Sequence, residues 1–350
     1  MNQQRIIVSV LLFCTLCITI LAFVFFKNTS LITGDPQVSQ NAIYYWKTIW
    51  ELTDNEYQFL TDHKINKIYI RYFDVYIEDD PVVMPVPEAT IRFKDTIPEN
   101  IEIIPTVFID NDLFRYCKMN DYVQKLVNRI ITMSETNNIL NIREVQLDCD
   151  WTKTTEAAYF DFLEKVKAAL AIHNIKLSTT IRLHQLRMDP PPAEKGVLMC
   201  YNTGAIRNPE TRNSILSASD VVPYAKYLKN YQLPLDLAYP TFSWAVWFNN
   251  EGHFQALLRN ACPADSNLIQ IKDNIYRVKN GFYQEGHYLA ADDRIRFETS
   301  DFNEIMMIKK MLEQQLKYFS VILYHLDQTN LSKYTGYEIN KMYTPFIDIN

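Results

Sequence analysis

The chain has 350 residues, 48% of them hydrophobic, enough apolar matter for one large domain or two small ones. A formal net charge of −6 without a basic stripe argues against nucleic acid as a partner. Only seven glycines are present and neither a GxGxxG nor a P-loop pattern occurs, which leaves little room for phosphate-cradling loops; no cofactor is expected.

In chain order, residues 6–26 form 21 uncharged, mostly apolar positions between Arg5 and Lys27. That length spans a bilayer as a helix. The Phe25-Phe26-Lys27 boundary offers no small-x-small cleavage site. The spacing predicts an uncleaved signal anchor over residues 1–27, a membrane attachment, and a domain on the extracytoplasmic side. Residues 28–41 read as a polar linker. Of the six cysteines, Cys117, Cys149, Cys200 and Cys262 lie in the domain, widely spaced and without zinc-type patterns, so buried free thiols are expected and no metal site is.

From residue 42 strand-like and helix-like segments alternate. Strands are predicted over 42–47, 67–75, 102–109, 143–151, 177–185, 196–202, 235–242 and 319–327. Helices are predicted over 53–63 with Thr53 as N-cap, 122–134, 155–172, 219–231 with Ser219 as N-cap, a short 253–259, and 302–318. Two insertions stand out. One, at 81–99, carries four prolines and a short strand at 90–93; the other, at 263–299, carries a hairpin near 269–277. Eight strands separated mainly by helices predict an α/β fold, a (β/α)8 TIM barrel over residues 42–350. An open doubly wound sheet is the alternative, but it would usually carry a phosphate-binding first turn.

The segment Glu144-Val145-Gln146-Leu147-Asp148-Cys149-Asp150-Trp151-Thr152 alternates without exception between polar and apolar. Such alternation is a strand whose two faces meet different surroundings. The mouth of a β/α barrel provides a polar inner face, and an edge strand with one wet face is the plainer reading. In a barrel the chemistry gathers at the strand C-termini. Those ends carry Arg71; Asp148 and Asp150; Arg182 and His184; Tyr201 and Asn202; Tyr239 and Trp244; and His325 and Asp327. Two carboxylates at i and i+2 on one face lie about 7 Å apart, close enough for one to raise the other's pKa and form an acid and base pair. The competing reading is a structural network in which Arg71 and Arg182 neutralise Asp148 and Asp150. Trp244, Trp247, Trp46 and Trp151 are candidates for stacking on sugar rings, with Trp151 on the packing parity.

Leu147-Asp148-Cys149-Asp150-Trp151 resembles the DxDWE motif of family 18 glycoside hydrolases, the chitinase-like barrels. Met199-Cys200-Tyr201-Asn202 resembles that family's MxYD segment, and Tyr324-His325-Leu326-Asp327 its last-strand segment. Together with Tyr159-Phe160-Asp161-Phe162-Leu163, the strand 4 segment is also similar to a bacterial family of glycosidase-like barrels of unknown function. The resemblance implies a TIM barrel and a carbohydrate partner. It also marks two departures. Thr152 stands where chitinases carry the glutamate that protonates the glycosidic oxygen, and Asn202 stands for the aspartate of MxYD. A membrane-anchored, glycosidase-like barrel acting on or binding a carbohydrate is the leading expectation. Asp148, Asp150 and, as a spare carboxylate, Asp327 would be the catalytic candidates. Arg71, Arg182, His184, Tyr201, Asn202, Tyr239, Trp244 and His325 would be the substrate-binding ones. The alternative is a non-catalytic barrel that binds a carbohydrate or a protein.

Overall fold

A computed structural model describes residues 37–78 and 83–346. Eight parallel strands carry the fold: β1 (Gln37–Tyr45), β2 (Ile65–Glu78), β3 (Glu102–Ile109), β4 (Glu144–Asp148), β5 (Lys176–Arg182), β6 (Lys195–Met199), β7 (Leu235–Pro240) and β8 (Tyr318–Tyr324). Each pairs with the next, and β1 pairs with both β2 and β8, so the sheet closes into a TIM barrel. Strand β1 begins inside the stretch expected to be linker. The apolar run 6–26 lies outside the described residues. Among the described residues no helix is long and apolar enough to cross a membrane.

The strands form because their outward parity is mostly apolar. Val145, Leu147, Leu198, Leu237 and Leu323, all on that parity, are fully buried. The outer helices are α1 (Asp54–Asp62), α2 (Val123–Thr136), α3 (Glu156–Ala171), α4 (Ala218–Leu228), α5 (Phe302–Glu313) and α6 (Gly336–Tyr343). Thr53 starts α1 with a capping box: its hydroxyl accepts from Glu56 N at 3.2 Å and the Glu56 carboxylate accepts from Thr53 N at 3.1 Å. Helix α4 starts one residue before the expected Ser219, with Ser217 as its N-cap.

Several elements differ from the sequence pattern. Strand β5 stops at Arg182 and the chain turns into a 3-10 segment, Leu183–Arg187. Gln185 is the cause: its side-chain oxygen accepts from Arg182 N at 2.7 Å and its amide donates to Trp151 O at 2.9 Å. Strand β6 ends at Met199, and Asn202 beyond it adopts a left-handed φ of 54°. Between β2 and β3 the chain adds a strand, Met84–Glu88, antiparallel to β2.

The segment expected as a helix at 253–259 is a strand, Phe254–Leu258, antiparallel to Ser243–Phe248. Its apolar run is short enough to satisfy either period, and pairing with the Trp-rich neighbouring strand decides the outcome. The second insertion therefore spans 243–299 as a five-stranded antiparallel sheet that includes the expected hairpin, Leu268–Lys272 with Ile275–Val278. No disulfide forms among the described cysteines. Cys149 and Cys200 are buried, Cys117 is half-buried, and Cys262 is exposed, contrary to the buried thiol expected there.

A buried ion pair joins the insertion to the barrel. Arg296 Nε donates to Glu298 Oε1 at 2.5 Å, and its other nitrogens donate to the carbonyls of Asn208 and Ile206 in the loop after β6. Glu298 Oε2 accepts from Ser214 Oγ at 2.5 Å and from Trp244 Nε1 at 2.6 Å. Removing one partner of such a pair leaves an uncompensated buried charge. Glu298→Ala is expected to lower unfolding free energy by about 3 kcal/mol in urea denaturation. A loss under about 1 kcal/mol, the size of an exposed pair, would contradict this assignment.

Candidate functional site

The mouth of the barrel, at the strand C-termini, gathers the charged residues. In the β4–β5 register Gln146 sits opposite Ser178 and Leu147 opposite Thr179, so Asp148 meets Thr180 and Asp150 meets Arg182. Asp148 is buried. Its Oδ1 accepts from Thr180 Oγ1 at 2.6 Å and from Arg182 Nη2 at 3.2 Å. Arg182 Nε donates to Asp150, whose side chain is 57% exposed. One guanidinium therefore bridges both carboxylates. Burial pushes the Asp148 carboxyl above its ordinary range, Arg182 opposes that shift, and the Asp150 charge adds to it. Burial acts against the Arg182 charge, but the two carboxylates outweigh it and raise its pKa.

Arg71 shares the mouth but pairs with Asp74, not with the β4 carboxylates as expected: its Nε donates to Asp74 Oδ1 at 2.6 Å. A register shift between Arg71 and Phe73 turns the i and i+3 side chains to the same face, which simple alternation forbids. The Arg71 guanidinium also lies 5.7 Å from the Trp46 ring centroid.

Aromatic rings complete the wall. Trp46 lies 5.8 Å from Tyr44 and 5.7 Å from Tyr324. Tyr324 lies 5.2 Å from Tyr201, which packs at 6.0 Å on Phe242, and Phe242 lies 5.0 Å from Trp244. The Tyr201 hydroxyl is buried without a hydrogen-bond partner, and burial raises its pKa, with Tyr44, Tyr324, Arg182 and Asp148 as its charged or ionisable neighbours. A buried hydroxyl at this place in a polar mouth can donate to or accept from a ligand.

Other expected residues fall elsewhere. Tyr239 is on the outward parity of β7, its hydroxyl bonded at 3.4 Å to Glu313 of α5, so it does not reach the mouth. Asp327 caps the short helix Gln328–Leu331, accepting from Asn330 N at 3.0 Å, and is spent on that role. His325 faces Asp327, Lys47, Arg259 and Glu56; burial lowers its pKa to about 4, so it is neutral at pH 7. His184 is exposed in the 3-10 segment, with Asp150 and Arg182 as its charged neighbours. Asn202 is exposed on its left-handed turn. Trp244 belongs to the insertion sheet, held at the rim by Glu298. Trp151 is buried and stacks on Tyr159, a packing role. Thr152 lies in the turn into α3, its hydroxyl 2.9 Å from Thr154 Oγ1. Asp74, Tyr44, Thr180 and Tyr324 were absent from the expected set. Parity carried the signal for the last three, and the bulge concealed Asp74.

No family model matches the sequence, and no curated protein matches it. Solved structures do match. The spore cortex-lytic enzyme SleL of Bacillus megaterium is similar over 89% of this chain and 77% of its own, with a TM-score of 0.51 at 12% identity. The family 18 chitinase ChiB of Flavobacterium johnsoniae is similar over 88% and 94%, with a TM-score of 0.50 at 13% identity. A catalytic domain of an Ostrinia furnacalis group II chitinase in complex with (NAG)5 is similar over 87% and 95%, with a TM-score of 0.50 at 10% identity. The fold is a TIM barrel distantly similar to those of family 18 glycoside hydrolases.

Arg182→Met would leave two neighbouring carboxylates without their shared cation. It is expected to cost about 3 kcal/mol at pH 7. Without the guanidinium, the folded-state pKa of Asp148 rises further above the unfolded value, so protons bind the native state preferentially. The deficit against wild type should therefore grow as pH rises through the acidic range. It should shrink as pH falls toward the ordinary carboxylate pKa of about 3.9. Urea denaturation at several pH values reads this, and a deficit independent of pH would contradict the bridge.

Proposed function

We propose that the mouth of this barrel binds a glycan and does not run the chitinase reaction. We further propose that residues 6–26 tether it to a membrane with the barrel on the extracytoplasmic side. The observation that carries the reading is the state of the two β4 carboxylates. Both are tied to Arg182, and among the described residues the further carboxylate whose charge reaches Asp148, Asp74, is itself paired with Arg71. General acid help is worth roughly 10²–10⁴ in rate. Thr152 has no proton to give at neutral pH, Asp327 is a helix cap, and Asp74 is held by Arg71. What remains suits recognition: an aromatic wall from Trp46 to Trp244, an unpaired Tyr201 hydroxyl, and guanidinium and carboxylate groups that exchange hydrogen bonds with sugar hydroxyls. The (NAG)5 complex of a fold relative makes chitin oligomers the first ligands to try.

The test uses full-length protein recovered from membranes, its retained N-terminus checked by sequencing. Tryptophan fluorescence titration with chitin oligomers and a broad glycan panel is expected to show saturable binding, weakened about tenfold or more by Trp244→Ala. Product analysis is expected to show no cleavage. Cleavage of chitin oligomers, or of another glycan in a manner abolished by Asp150→Asn, would overturn the non-catalytic reading. A mature N-terminus beyond residue 26 would overturn the tether.

A further inference from the structure

The opposite end of the barrel is also open. A cavity of about 790 Å³ lies where β2 to β6 begin. Its floor holds Lys67, Glu144, Ser178 and Lys195, and Arg143 and Lys176 line it together with the carboxylates Glu102, paired with Lys67, and Glu194, paired with Lys167. The volume is in the range of small-molecule sites.

The floor is crowded with charge but loosely bonded. Lys67 Nζ lies 3.4 Å from both Glu102 and Glu144, and Lys195 Nζ lies 3.5 Å from Glu144. A well-formed bond between such ions runs about 2.7–2.9 Å, the length Lys195 achieves with Asp236 at 2.7 Å. Burial acts to raise the Glu144 carboxyl, but Lys195, Lys67 and a loose hydrogen bond from Ser178 outweigh it and hold it below the usual carboxylate range. Even so, neither Glu144 Oε1 nor Ser178 Oγ, both buried, completes a hydrogen bond of good geometry. Buried polar atoms left this way cost stability unless something fills the space. The rim differs. Arg143 and Lys176 are exposed and pair with no carboxylate among the described residues.

These features select a ligand chemistry. A bare anion at the floor would meet the Glu144 carboxylate. A bare cation there would meet two ammoniums. A hydroxyl suits both, donating to Glu144 Oε1 while accepting from Lys67 Nζ or Ser178 Oγ. The two unpaired rim cations suit a phosphate, with Arg143 able to bind it through two parallel N–H groups. We propose that this cavity binds a phosphorylated polyol, hydroxyls inward and phosphate at the rim.

Such a group occurs in soluble sugar and polyol phosphates and in lipid headgroups. Strand β1 starts at this same end of the barrel, with Gln37. The lipid source rests on the tether proposed above; the cavity itself does not.

Isothermal titration of full-length protein in detergent tests the site, with glycerol 3-phosphate and inositol 1-phosphate as probes. Binding is expected to be at least about tenfold tighter than that of glycerol, inositol or inorganic phosphate. The exposed rim double variant Arg143→Ala with Lys176→Ala, its fold checked by circular dichroism, is expected to weaken binding about tenfold or more. Ser178→Ala should weaken it from the hydroxyl side. Chitin-oligomer titration of the same variants should be unchanged, which separates this site from the mouth. Phosphatidylglycerol nanodiscs that displace glycerol 3-phosphate would assign the lipid source, and nanodiscs that do not would assign the soluble one. No saturable binding of either phosphorylated probe, binding unaffected by the rim variant, or inorganic phosphate binding as tightly would overturn the proposal.

Discussion

The bridge from Arg182 to Asp148 and Asp150 is the constraint on which the mouth depends. A carboxylate buried as deeply as Asp148 needs a partner or a proton. The β4–β5 register supplies the partner one strand away, and Gln185 ends β5 where Arg182 must stay in place. The bridge gives both carboxylates one shared cation and holds them side by side. A second Arg–Asp pair, built by the bulge in β2, repeats the arrangement across the mouth.

The inward face of β4 shows how local charge decides ionisation. Glu144, Gln146 and Asp148 rise along one line from the base of the barrel to its mouth. At the base two ammoniums attend one carboxylate and lower its pKa. At the mouth one guanidinium serves two carboxylates, and burial wins at Asp148. Between them Gln146 takes the Tyr44 hydroxyl at 2.8 Å and carries no charge. The same strand and the same parity thus give opposite shifts, set by how many cations face each acid. The two ends differ accordingly: a mouth walled by aromatic rings where one guanidinium is shared by two carboxylates, and a loosely bonded base with unpaired cations at its rim.

Much of this was legible in the sequence. Period-two alternation from residue 144 to 152 fixed which side chains of β4 face inward, and parity on β5 placed Arg182 beside them. The count and order of strands gave the barrel. What escaped had physical causes. The bulge in β2 reversed parity, so Asp74 was hidden and Arg71 was assigned the wrong partner. Tyr239 has the composition of a site residue, but its parity turns it to Glu313. Asp327 reads as a spare acid until the short helix behind it claims its oxygen. The strand at 254–258 was too short for its period to be read, and the sheet it completes put Trp244 on the insertion. The base cavity left no sequence signal, because residues at five separate strand starts make it.

The account stands or falls on the ionisation of Asp148. Carbon-13 NMR titration of the aspartate side-chain carboxyls, with Asp148 assigned by Asp148→Asn, measures it directly. A midpoint for Asp148 above the ordinary value of about 3.9 is expected. A midpoint at or below that value would contradict the shared-guanidinium mouth and the function drawn from it.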